Sequence, residues 1–204
     1  MAFGASHQPF RVWIGGRGSG KSVMIGVSQR QKMADLPRAK FFFASSTYTQ
    51  ILTKTLPPIT KIWESFGLIE HIPGYTKDGH FIVGKPPPKH WKTPFDRPRK
   101  YTNVITFCNG FTIEMLSMDR PEIARGGSYD GGEIDESTTI SQESLSRILQ
   151  PSIRGNTHQF KHWSHQQLSL YGNMPWKADA LYLLEYEQMA KAKPDMYYYM
   201  ESTA

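Results

Sequence analysis

Apolar residues in this chain fall in short blocks, separated by polar, glycine-rich or proline-rich stretches. Phe10 to Ile14 is a short apolar run, as expected of a buried strand. From Ser22 the pattern turns helical, with Val23, Ile25, Gly26 and Val27 on the early turns. Lys40 to Ala44 reads as a second buried strand. A polar stretch at Ser45 to Tyr48 then leads into a helix ending near Phe66 and Gly67. Pro57-Pro58 is expected to break or kink that helix, because neither residue can donate an interior hydrogen bond. Over residues 67–100 the periodicity decays, and Pro73, Gly74, Pro86 to Pro88, Pro94 and Pro98 leave room only for short strands such as His80 to Val83. An irregular, basic, proline-rich insertion is expected there.

Order returns with Asn103 to Phe107 and Phe111 to Leu116, two alternating runs that flank Asn109-Gly110 and so predict a hairpin. Tyr129 to Ile134 reads as a strand, Ser141 to Leu149 as a short helix, and Gln167 to Tyr171 as another strand. Lys177 to Lys193 reads as a helix and Met196 to Glu201 as a final strand, in which Tyr197-Tyr198-Tyr199 is core rather than a base-stacking platform. Strands alternating with helices imply a single α/β domain over residues 1–204, with a mainly parallel central sheet flanked by helices.

The link between the first strand and first helix carries the chemistry. Gly15-Gly16-Arg17-Gly18-Ser19-Gly20-Lys21-Ser22 is a complete Walker A loop. A strand–loop–helix order turns the loop N–H groups and the positive end of the helix toward one point, which suits phosphate. Lys21 is expected to reach the β- and γ-phosphates of ATP, and the Ser22 hydroxyl to ligate Mg²⁺.

Hydrolysis needs more: a carboxylate on the metal shell and a base that orients water. Asp135-Glu136, at the end of a strand, offers both, with Asp135 assigned to the metal and Glu136 to the water. The competing reading is an N-cap, with Asp135 or Ser137 opening the next helix. The preceding Asp130-Gly131-Gly132-Glu133-Ile134 is unusually polar for a strand expected to be buried on both faces. Ile113 to Asp119 is more apolar, but it alternates like a hairpin strand and Arg120-Pro121 after it supplies no base.

Composition narrows the class. The chain of 204 residues carries a formal charge of +6, which points to a polyanionic partner. Cys108 is its single cysteine, so an intrachain disulfide framework is excluded and a reducing compartment is expected. No stretch approaches the apolar length that spans a bilayer, and the N-terminus does not resemble a signal peptide.

These motifs, in this order, resemble the ATPase domain of the large terminase subunit of tailed bacteriophages. The resemblance runs over most of the chain. It rests on the Walker A loop with its Arg17, on Ala124-Arg125-Gly126-Gly127-Ser128-Tyr129-Asp130-Gly131 upstream of the acid pair, and on Leu170-Tyr171-Gly172-Asn173-Met174-Pro175, similar to the family's coupling motif. It implies a P-loop NTPase of the RecA-like, ASCE type that hydrolyses ATP with Mg²⁺ to move double-stranded DNA. It also implies a ring of copies on a capsid portal, a small terminase subunit as partner, and the cytoplasm of an infected bacterial host as location. Arg125 matches an arginine finger offered to a neighbouring subunit, and Arg17 is a second candidate for stabilising the γ-phosphate. Asn173 would detect that phosphate, and Gln8 would read the adenine edge. The family's nuclease domain has no counterpart in these residues, so a truncated longer protein is expected and DNA cleavage is not.

Two further features bear on partners. Lys85 to Lys100 is the most basic segment, with Trp91 and Phe95 interleaved, and suits either a DNA backbone or a neighbouring subunit. His158, His162 and His165 share a helical spacing, but no cysteine or acid completes a zinc site. Two other functions fit a Walker A loop: a P-loop kinase for a small substrate, and a nucleotide-gated assembly subunit with little turnover.

Overall fold

The computed structural model describes residues 3–202. Eight strands form one sheet: β1 (Phe10–Gly15), β2 (Lys40–Ser45), β3 (Phe81–Val83), β4 (Val104–Phe107), β5 (Thr112–Ser117), β6 (Gly131–Ile134), β7 (Leu168–Gly172) and β8 (Tyr197–Ser202). Their order across the sheet is β3-β4-β5-β2-β6-β7-β1-β8. The run from β5 to β8 is parallel, and β3 and β4 extend it as an antiparallel edge. The sheet is therefore mixed but mostly parallel. The expected hairpin is β4–β5, with Ile105 opposite Ile113.

Helix α1 (Lys21–Asp35) follows β1. Helix α2 is continuous through Tyr48–Gln50, a π-helical turn Ile51–Thr55, and Leu56–Ser65. Helix α3 repeats this form as Gln142–Ser144, a π turn Leu145–Leu149, and Gln150–Ser152. Helix α4 (Tyr182–Ala192) precedes β8.

Period-two alternation divides the core between the two faces of the sheet. Trp13, Phe41 and Phe43 point to one face, where Ile25 of α1 and Ile59 and Trp63 of α2 cover them. Val12, Ile14, Phe42 and Ala44 point to the other, beneath Leu145 and Leu149 of α3 and Leu183 of α4. Tyr197 and Tyr199 lie against this second core and Tyr198 against the first, so the tyrosine run lies in a half-buried edge strand.

Three expectations about the elements need correction. Pro57-Pro58 does not break α2. The prolines enter the first turn of its final segment, where a missing N–H is tolerated, and the π turn before them absorbs the change of register. Helix α3 likewise runs past Leu149 through Pro151. The helix expected over residues 177–193 begins as a 3₁₀ turn, Ala178–Ala180, and becomes α-helical at Tyr182.

The polar strand before the acid pair also has a physical account. A Cβ at Gly131 would lie 2.3 Å from the Phe41 ring, and one at Gly132 would lie 2.1 Å from the Phe42 ring. The adjacent strand thus supplies the apolar cover that β6 lacks. Glu133 is buried on α1: its Oε1 accepts from Lys32 Nζ at 2.8 Å and from Ser28 Oγ at 2.6 Å. Asp130 Oδ2 accepts from the Lys40 amide and Asn156, and Oδ1 faces His165 Nε2 at 3.0 Å. His165 is thereby a packing partner of Asp130, and His162 pairs with Ser164.

Candidate active site

All six parallel strands of the sheet end on the same side, and the loops after β1, β2, β6 and β7 meet there. Between β1 and α1 the loop turns at Gly18 and Gly20, both with positive φ; Gly20 is the N-cap of α1 at φ 90°. A side chain at that backbone angle would be strained, so glycine is needed where the loop enters the helix. Lys21 curls over the loop. Its Nζ donates to the carbonyls of Gly15 (2.6 Å) and Gly16 (2.8 Å) and to Asn173 Oδ1 after β7 (3.1 Å), with Ser19 Oγ 3.4 Å away. Burial lowers the Lys21 ammonium below the usual lysine range, and the charge of Asp135 opposes that shift.

Asp135 and Glu136 follow β6, which β7 separates from β1. Asp135 is buried; desolvation pushes its carboxyl up, against the pull of the Glu136 amide, the Thr55 hydroxyl and Lys21. Its Oδ1 accepts from the Glu136 N–H at 3.0 Å and its Oδ2 from Thr55 Oγ1 at 3.2 Å. Glu136 has φ 53°, a left-handed conformation uncommon outside glycine, which turns its side chain away from the strand direction. Glu136 Oε2 accepts from Ser46 Oγ at 3.0 Å and from Gln50 Nε2 at 2.5 Å. The structure thus brings Lys21, Asp135, Glu136 and Asn173 to one edge. As for the N-cap reading, Glu136 itself precedes the 3₁₀ turn Ser137–Thr139 and makes no side-chain cap bond there.

Other expected residues stand elsewhere. Arg17 is exposed on the loop beside Gly18. Arg125 is exposed at the end of the 3₁₀ turn Pro121–Ala124 and lines a cleft of about 180 Å³ with Arg147, Pro151 and Arg154; no residue of the Walker A loop or acid pair lines it. Gln8 stands apart from the loop. It precedes β1 at the end opposite the loop, and its Nε2 donates to the Pro194 carbonyl at 3.0 Å.

Sequence reasoning missed Ser46, Gln50 and Thr55, which hold the acids. The one available signal was the polar run Ser45 to Tyr48 opening a helix, and a 3.6-residue period does not place Gln50 and Thr55 together.

Among the described residues no group of three or more His, Cys, Asp and Glu forms a ready metal cage. The donors present, one carboxylate of Asp135 and the Ser22 hydroxyl, suit Mg²⁺, which is usually held by one or two carboxylates together with substrate phosphates and water.

No family model matches the sequence, and no curated protein does either. Solved structures do. The Thermus phage P74-26 large terminase ATPase domain superposes with a TM-score of 0.60 at 18% identity, covering 100% of this chain and 78% of that one. The large terminase of a thermophilic bacteriophage in complex with ATP-γ-S gives 0.57 at 13% identity, covering 95% of this chain and 39% of that one. The HK97 bacteriophage large terminase gives 0.55 at 12% identity, with 95% and 35% covered.

The chain has the fold of phage large-terminase ATPase domains. It spans less than half the length of two of these terminases. That fold places the Walker A loop and the acid pair on the edge where α/β sheets of this kind bind ligands. Among the described residues no helix is long and apolar enough to cross a membrane.

Proposed function

We propose that this chain is the ATP-hydrolysing motor domain of a viral genome-packaging terminase, which couples hydrolysis to movement of double-stranded DNA into a capsid. The observation that carries the reading is the convergence of Lys21, Asp135, Glu136 and Asn173 at the ends of β1, β6 and β7. Terminase structures of the same fold, one with ADP and one with ATP-γ-S, support nucleotide binding.

In this reading the loop amides of residues 15–20 and the start of α1 hold the triphosphate, and Lys21 exchanges its loop carbonyls for phosphate oxygens. Ser22 and Asp135 would hold Mg²⁺, which would neutralise charge on the phosphates. Glu136 takes a proton from the attacking water, while Asn173 exchanges contact with Lys21 for contact with the γ-phosphate and passes its loss to the loop after β7. Arg125, exposed and apart from its own loop, serves a neighbouring subunit in a ring on the portal, and Arg17 stabilises the γ-phosphate in its own subunit. The small terminase subunit and the host cytoplasm belong to the same proposal.

The exposed Lys85, Lys89, Lys92, Arg97, Arg99 and Lys100 support a DNA contact. Trp91 is buried against His71, and Arg38 lies 4.2 Å over Phe95, so backbone charge rather than base stacking is the favoured mode. The test is phosphate release with and without double-stranded DNA. DNA-stimulated release supports the motor, transfer to a small acceptor would make the chain a kinase, and stoichiometric binding without turnover would make it an assembly subunit.

A further inference from the structure

Helix α2 touches both acids. Gln50 Nε2 donates to Glu136 Oε2 at 2.5 Å, and Thr55 Oγ1 donates to Asp135 Oδ2 at 3.2 Å. The two residues are five apart. At 3.6 residues per turn, an α-helix would point them about 140° away from each other. Between them lies the π turn Ile51–Thr55, in which the Leu56 N–H donates to the Ile51 carbonyl five residues back. A ring closed at i+5 brings residues five apart back to nearly the same side.

Prolines explain why the register changes here, because Pro57 and Pro58 offer no N–H to the carbonyls four residues before them. They do not explain the polar contacts. Helix α3 supplies the comparison: its π turn also precedes a proline, Pro151, yet it is flanked by Ser144, whose Oγ pairs with Ser141, and by the apolar Leu149. In α2 alone does the turn deliver two hydrogen-bonding side chains to adjacent carboxylates. Ser46 Oγ lies 2.7 Å from Gln50 Oε1 and 3.0 Å from Glu136 Oε2, so its single proton links the amide and the carboxylate.

We propose that Gln50 and Thr55 are positioning residues for the acid pair, and that the π turn is the register device that lets one helix hold both carboxylates at once. The proposal rests on the reading that Asp135 and Glu136 serve hydrolysis. Trp63 on the same helix donates to the Gly26 carbonyl of α1 at 3.1 Å, so α2 spans from the acid pair to the helix that follows the Walker A loop.

The test is steady-state phosphate release by the full chain over a range of Mg²⁺·ATP, with thermal melts beside it. Partners of this rank typically cost about 10- to 100-fold when removed, so Gln50→Ala and Thr55→Val are each expected to lower kcat about tenfold. KM for ATP should stay within about twofold, as for a group that acts on the chemical step and not on binding. Thr55→Ser should recover most of kcat, because it restores the hydroxyl. Inserting an alanine after Thr53, an exposed residue of the turn, would put Gln50 and the threonine six apart, about 120° from each other on an α-helix, and should lower kcat further. Normal kcat in Gln50→Ala and Thr55→Val beside an inactive Glu136→Gln would overturn the positioning role and leave the hydrolysis reading standing. Equal losses in Thr55→Val and Thr55→Ser would also overturn it, while normal turnover in Glu136→Gln would remove the reading on which it rests.

Discussion

Lys21 Nζ donates to Asn173 Oδ1 across 3.1 Å, joining the loop that ends β1 to the loop that ends β7. A charge-assisted bond of this kind competes directly with phosphate for the ammonium. Asn173→Asp is therefore expected to weaken ATP binding about tenfold, because a carboxylate pairs with Lys21 more strongly than an amide does. Asn173→Ala removes both the competitor for Lys21 and a γ-phosphate contact, so it should bind within a few-fold of the wild type, and Lys21→Ala should lose affinity outright. Calorimetric titration with Mg²⁺·ATP-γ-S separates the three.

The buried Lys32–Glu133 pair ties β6 to α1, with both side chains almost fully inaccessible. Lys32→Met would leave Glu133 buried and unpaired, at a cost of about 3–5 kcal/mol, and Lys32→Met with Glu133→Leu should recover most of that loss. Urea denaturation reads both.

The same pair gives a pH signature. Burial pushes the Lys32 ammonium down to about 8 from an ordinary 10.5, with the Glu133 carboxylate opposing. Between those values the unfolded chain holds the proton that the folded chain has released, so this group makes stability rise with pH over that window. Comparing wild type with Lys32→Met at pH 8 and pH 10 should show the rise only in the wild type; identical slopes would refute it.

Gly131 and Gly132 leave room for the rings of Phe41 and Phe42. Gly132→Ala is expected to destabilise the chain by about 1–3 kcal/mol through overpacking, and Phe42→Leu added to it should return part of that loss. Thermal melts suffice, and additive losses would show that the ring is not what fills the space.

If the 85–100 segment holds phosphates, Lys89→Ala with Arg97→Ala removes two such contacts. The slope of log affinity for double-stranded DNA against log salt should then fall by about 1.8. An unchanged slope would assign the segment to another partner.

Much of this was legible in the residues themselves. Buried parallel strands such as Lys40–Ser45 carry a continuous apolar run, here Phe41 to Ala44, and Gly15 to Ser22 identifies its own structural setting. What escaped was non-local. The glycines and Glu133 of β6 look wrong for a buried strand until Phe41, Phe42 and Lys32 are seen to complete it. Pro57-Pro58 looked like a break because sequence patterns encode α and β periods, and a π turn belongs to neither. Gln50 and Thr55 stayed hidden for the same reason.

The central claim is that the Walker A loop and the acid pair act on one terminal phosphate. Its most direct test is Glu136→Gln, with Mg²⁺·ATP binding and phosphate release measured on the same sample. Binding within a few-fold of wild type with release lost by 100-fold or more, on the order of 3 kcal/mol at the barrier, is the expected result. Release at the wild-type rate would contradict the account.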